Sequence, residues 1–313
     1  MKRQLLVSLV AVMAALVAAP APAVAIGAKI NVVTTLPALA SIVTTVGGES
    51  VSVTSLAYPN QDPHFVDARP NLILPLNRAD LLVINGLDLE TGWLPVLRTG
   101  ARNANIQMGT LGFLDASTLV PLKGVPLQKI DRSMGDLHAG GNPHFLTDPR
   151  NGARIATGIA ARLSQLLPRQ AAAFKARAAT FAIDANALGA KEAKRFASLP
   201  AAKRQVVGYH QSWIYLNDWL SLNQIGMIEP KPGVPPTPQH VAALLGQIRD
   251  QKVTAILQET YYPSRFGQLL AEKTHIAFVL LPGGPNFNQG ETYLGYLTGL
   301  TSKIHDALMG KKP

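Results

Sequence analysis

No cysteine occurs anywhere in the 313 residues. That absence excludes disulfide staples, thiolate metal sites and cysteine nucleophiles, and it removes the acceptor for a lipid anchor. A chain of this length without staples must be held by its own hydrophobic core, which folds most naturally as two lobes. Aromatic residues make up only 6%, and the positive excess (net +10) is scattered rather than gathered into a stripe. The charge therefore does not read as a nucleic-acid footprint. Past the N-terminal segment no apolar run reaches the ~18 residues that a membrane-spanning helix needs. The hydrolase signatures H-E-x-x-H and G-x-S-x-G are missing too.

What is present begins with an address. Lys2-Arg3 precede an apolar run from Leu5 to Ala19, and Ala23-Val24-Ala25 has the small-x-small pattern of a cleavage site. These features predict a secretory signal peptide over 1–25, too short and wrongly flanked to be kept as a span. The expected product is a freely diffusing periplasmic protein, monomeric, with no nucleic-acid partner.

Two stretches of alternating pattern follow. Ile30 to Thr34, Val51 to Leu56 and Leu81 to Asn85 read as buried strands, and Ala38 to Val46 has helical spacing that stops at Gly47-Gly48. Leu111 to Met134 reads as irregular. Ile155, Ile159, Leu163 and Leu166 fall on one helical face, and from Pro168 to Leu199 the chain runs on without another proline. Such a run predicts a rod of about 45 Å at 1.5 Å per residue. Strand patterns return at Val206-Val207, Ile225 to Ile228, Val253 to Leu257 and Ile276 to Leu281, and a last helix is expected from Thr292 to Leu308. The predicted class is α/β: a β/α lobe over 26–167, a linker helix over 168–199 and a second β/α lobe over 200–313, each lobe with a parallel sheet.

In open parallel sheets, ligands bind beyond the carboxyl ends of the strands. His64, in "YPNQDPHFVDARP", follows the second strand; His210 and Glu259 fall where two strands of the second lobe end; His144 precedes a helix. These residues come from four separate loops and are placed to meet in one cleft between lobes. Three neutral imidazoles plus an oxygen suit Zn²⁺, whereas Mn²⁺ and Mg²⁺ lean towards oxygen. His240, His275 and His305 occupy a helix entry, the approach to a strand and the last helix, and read as ordinary surface residues.

The chain resembles the zinc- and manganese-binding solute receptors of ABC importers, the TroA-like or cluster A-I family. The resemblance rests on "DPHFVDARPN", "GDLHAGGNPHFLTDPRNG", "VVGYHQSW", "EPKPGVPPTPQHVAAL" and "ILQETYYPS", which stand in the family's order and cover most of the chain. It implies two β/α lobes joined by one long rigid helix, with the metal in the cleft, and it assigns the first three ligands to His64, His144 and His210. Histidine in the third place resembles the zinc members more than the manganese ones. Many members carry an aspartate just after the last strand; here that place reads "LLPGGPN" and holds no carboxylate. Glu259 then stands either as fourth ligand or as an outer group orienting a histidine, with water in fourth place. The segment from Ile130 to Gly141 resembles a flexible loop of some zinc receptors, so His138 and Asp136 are expected to hold metal only in passing.

The resemblance implies a periplasmic zinc receptor, not an enzyme. It would pass Zn²⁺ to an ABC permease in the inner membrane, with a periplasmic zinc chaperone as a possible second partner. The rivals are a manganese or iron receptor of the same family and, from another class, a secreted zinc hydrolase that uses Glu259 as its base.

Overall fold

The computed structural model describes residues 29–127 and 137–311. The expected signal peptide and Asp136 lie outside the described residues. The β-branched run INVVT forms β1 (Ile30–Thr34), and α1 (Pro37–Gly47) leads to β2 (Val51–Ser55). Short helices α2 (Ile73–Asn77) and α3 (Leu94–Ala101) flank β3 (Leu81–Ile84), and β4 (Phe113–Asp115) follows. The strands pair in the order β2-β1-β3-β4, all parallel. β4 lies inside the stretch read from sequence as irregular. Three residues are too few to show a period, and tertiary contacts make this strand. It pairs Leu82 with Phe113, and the Arg162 guanidinium donates to the carbonyls of Thr110, Leu111 and Phe113 beside it.

The second sheet repeats the first. β5 (Gln205–Gly208), β6 (Asn223–Met227), β7 (Ala255–Glu259) and β8 (Ala277–Leu281) pair as β6-β5-β7-β8, again all parallel. Parallel neighbours require crossovers. Here the helices are α6 (Ile214–Leu220), α7 (Pro238–Asp250) and α8 (Arg265–Thr274). In each sheet the order reverses at its first strand. The two switch points, where a crevice opens beyond the strand ends, therefore carry Thr35 and Asn85 in one lobe and His210 and Glu259 in the other.

Between the sheets lie α4 (Pro149–Leu166) and α5 (Ala171–Ala197), joined by a tight turn over Pro168–Gln170. At 1.5 Å per residue α5 is about 40 Å long. It is half of an antiparallel pair rather than a lone rod, since Gly189 packs on Pro149 and Arg150 at the start of α4. Both ends of α5 are fastened. Arg177 donates to the carbonyls of Val46 and Gly47 at the end of α1 (2.7 and 2.9 Å), and Trp219 Nε1 of α6 donates to the Gly189 carbonyl at 2.9 Å. The last helix, α9 (Tyr293–Leu308), reaches back across the cleft: Tyr293 N–H donates to Ser41 Oγ of α1 at 2.8 Å. One apolar core consequently runs from Val32 and Leu81 through Ile155, Phe174 and Phe181 to Leu257 and Val279, and the outer face of each sheet has a smaller core of its own. Among the described residues no helix is long and apolar enough to cross a membrane.

Candidate metal centre

His64, His144 and His210 meet at the cleft. One ring nitrogen from each lies within 4.8 Å of the other two. The ring centroids stand 5.3–5.4 Å apart and the planes are steeply inclined to one another, as converging donors require.

Each histidine is held by identifiable partners. Asp62 accepts from the backbone N–H of His64 (3.0 Å) and its Oδ1 lies 2.8 Å from His64 Nδ1; Trp93 Nε1 donates to the carbonyl of the intervening Pro63 at 2.9 Å. His210 leaves the end of β5 and sets Nδ1 2.8 Å from Glu229 Oε2, with both side chains buried. His144 is placed by the chain before it. Asn85 Nδ2 donates to the Pro143 carbonyl (3.0 Å), and the His144 N–H donates to Asn142 Oδ1 (3.0 Å). Asn142 Nδ2 in turn donates to the carbonyl of Gln211 next to His210 (2.8 Å), so the two lobes share this bond. Carboxylates at Nδ1 fix the tautomer of His64 and His210 and leave Nε2 as the donor atom.

The electrostatics match that arrangement. Burial, and then the neighbouring His210 and His64, hold His144 well below the usual imidazole value, and its Nε2 is buried without a partner. A neutral ring with an unpartnered nitrogen is what a metal ligand needs. Burial pushes the Asp62 carboxyl up, but its hydrogen bonds and charge interaction with His64 outweigh that and leave it below the ordinary carboxylate value. In the first lobe the Glu90 carboxylate accepts from the N–H groups of Asn85 (2.7 Å) and Gly86 (3.1 Å), and burial pushes it up to about 7.

The remaining expected residues are placed as follows. Glu259 ends β7, fully buried, but stands outside the histidine group; it lines a cavity of about 60 Å³ that adjoins the group through His144, with Ser212, Trp213 and Gly283 also in its wall. Its Oε2 has no partner, and burial pushes its carboxyl up to about 8. His138 comes to the edge of the group, with Nε2 3.3 Å from His64 Nε2. The other histidines correct the sequence reading in part. His275 is exposed, but His240 Nε2 bonds the Met227 carbonyl at 2.9 Å and His305 packs edge-on against Phe196. The sequence reading missed Asp62 and Glu229. Their signals were present: Asp62 stands two residues before His64 in a turn, and Glu229 follows a strand just as Glu259 ends one.

Residues 32–307 match the family described as zinc-uptake complex component A, periplasmic. The chain belongs to that family. It is thus a substrate-binding protein of a metal ABC importer, and its relatives bear this out. The manganese ABC transporter substrate-binding lipoprotein PsaA of Streptococcus pneumoniae is 25% identical over 79% of this chain and 77% of its own. The metal ABC transporter substrate-binding lipoprotein SsaB of Streptococcus sanguinis is 23% identical over 90% and 89%. The fold is that of the ZnuA crystal structure, with a TM-score of 0.75 at 24% identity over 90% of this chain and 99% of that one. It is likewise that of a cadmium-bound periplasmic metal binding protein from Candidatus Liberibacter asiaticus, at 0.71 and 21% identity over 90% and 99%. The expectation of two β/α lobes with parallel sheets and a long connecting helix, drawn from the strand and helix pattern and from the resemblance to the zinc- and manganese-binding receptors, holds.

Proposed function

We propose that this protein captures Zn²⁺ in the periplasm, on His64, His144 and His210, and hands it to an ABC permease in the inner membrane. The lobes of 26–167 and 200–313, joined through 168–199, act as the two sides of the cleft. One observation carries the reading: the donor group consists of three histidine nitrogens within 4.8 Å of one another, and the nearby carboxylates Asp62 and Glu229 bond Nδ1 atoms. Imidazole donors suit zinc, and carboxylate oxygen suits manganese. Glu259 is read as a group outside the coordination sphere, consistent with its absence from the cluster of histidine nitrogens.

The relatives named as manganese receptors favour Mn²⁺ as the competing cargo. Elemental analysis of protein recovered from the periplasm, with direct competition between Zn²⁺ and Mn²⁺ on the stripped protein, decides between them. Zinc retained in a manganese excess is the expected result, and manganese retained against zinc would overturn the reading. A role without catalysis is part of the same proposal; turnover of ester, peptide or phosphate substrates by the zinc-loaded protein would contradict it.

A further inference from the structure

Just past Glu229, within the stretch EPKPGVPPTPQHVAAL, the chain reads Lys231-Pro232-Gly233-Val234. Proline presets the second position of a β-turn, and glycine in the third marks the type II form, whose third residue must take positive φ. The structure has that turn. Val234 N–H donates to the Lys231 carbonyl at 3.0 Å, the two residues form an isolated antiparallel bridge, and Gly233 stands at φ +74°. Pro232 is buried and lines a small cavity with His144 and His210, whereas Gly233 and Val234 are exposed.

The turn type decides where one N–H points. Types I and II differ by turning over the central peptide, here the Pro232–Gly233 unit, so its N–H emerges on opposite sides of the loop. The Gly233 N–H donates to Glu229 Oε2 at 3.2 Å, the same oxygen that lies 2.8 Å from His210 Nδ1. Glu229 is buried, and its backbone N–H donates to the carbonyl of Tyr209, next to His210, at 3.0 Å. Its carboxylate is thus gripped from the histidine side and from the turn side. The segment is fastened beyond the turn as well. Thr237 caps α7 by accepting from the His240 N–H (3.2 Å), and His240 Nε2 bonds the Met227 carbonyl, two residues before Glu229, at 2.9 Å.

We propose that Gly233 is a positioning residue for the metal centre: its N–H, aimed by the type II turn, holds Glu229 on His210 and so keeps the His210 ring oriented for zinc. This rests on His210 binding the metal. What matters at position 233 is the sign of φ rather than the size of the side chain. Asparagine enters the left-handed region more readily than alanine, and a β-branched residue least readily.

The experiment measures zinc affinity by calorimetry in the mature chain and in its Gly233→Asn, Gly233→Ala and Gly233→Val variants. Affinity should fall in that order, which follows left-handed preference and not volume, since asparagine is larger than alanine. Gly233→Val should bind zinc about tenfold more weakly, at the lower end of the 10- to 100-fold usual for an outer partner. In a Glu229→Ala chain the N–H has no carboxylate to hold, so the same substitution should change affinity by less than about twofold. In the zinc-loaded protein the His210 Nδ1–H proton resonance should move in Gly233→Val and return in Gly233→Asn, a readout that a general loss of stability leaves unmoved. Melts of the stripped variants check the fold, and Gly233→Ala carries the comparison where Gly233→Val melts early. Equal affinity in all four chains, or asparagine binding more weakly than alanine, would overturn this inference alone. So would an equal loss from Gly233→Val with and without the Glu229 carboxylate. A parent chain that binds no zinc, or a His210→Ala chain that binds as well as the parent, would overturn it together with the reading it rests on.

Discussion

Asp62 and Glu229 each set a carboxylate oxygen 2.8 Å from a histidine Nδ1, and that contact decides which nitrogen is free for metal. Replacing either with its amide, Asp62→Asn or Glu229→Gln, should lower zinc affinity about 10- to 100-fold, the usual effect of an outer partner. His64→Ala, His144→Ala and His210→Ala remove a donor and should cost more, while His275→Ala should leave calorimetric affinity unchanged. Glu259 separates from these residues by pH. Its carboxyl is pushed up to about 8 and that of Glu90 to about 7, so the folded protein holds protons that the unfolded chain releases near 4.5. Stability is therefore lost as pH rises towards those values. His144 and His138, held low by burial, act the other way and only below about 6.5, the ordinary imidazole value. Thermal melts of the stripped protein should accordingly fall between pH 6.5 and 8, and Glu259→Gln should flatten that decline; an unchanged slope in the variant would place the titration elsewhere.

The element that matters most for the site is the segment entering α4. Asp148 caps this helix by accepting from the Arg150 N–H at 2.9 Å, and the Tyr293 hydroxyl of α9 donates to the carbonyls of Leu146 and Asp148 (2.9 and 3.1 Å). These bonds hold the chain immediately after His144. Tyr293→Phe leaves buried carbonyls short of a donor, which costs about 1–3 kcal/mol. Its expected signature is a lower melting temperature and faster amide exchange over 145–152. Gly152→Ala should be harsher, because a Cβ there would run into the Tyr293 ring.

For the whole molecule, the continuous core and the fastened α4–α5 pair predict that metal arrival rearranges loops more than lobes. Small-angle scattering of stripped and zinc-loaded protein should give the same radius of gyration within error, since pre-organised binders shift their backbone by about 1 Å or less. A larger contraction would show hinge closure. Zinc at a thousand times its dissociation constant should add about 4 kcal/mol, or roughly ten degrees of melting temperature. Acid should abolish that gain, because each imidazole must be neutral to ligate, and so should His210→Ala at neutral pH.

Much of this was legible in the sequence for physical reasons that are local. Buried parallel strands are near-continuous apolar runs, so β1, β3, β7 and β8 announce themselves; the proline-free alanine-rich stretch announces α5; strand-end placement picks out His64 and His210. What the sequence could not decide was which groups face one another. β4 exists because β3 offers an edge and Arg162 satisfies its carbonyls, and three residues carry no period of their own. Glu229 follows β6 and Glu259 ends β7, the two strands that flank β5, and they look alike in the chain. Only the packing turns Glu229 to His210 and leaves Glu259 buried outside the cluster of histidine nitrogens. His138 belongs to a glycine-rich loop with no periodicity, and only the fold brings it to 3.3 Å from His64, with Gly140 packed on Leu87 of the loop after β3. Local pattern determined the elements and the donor types; long-range geometry alone decided which donors share a centre.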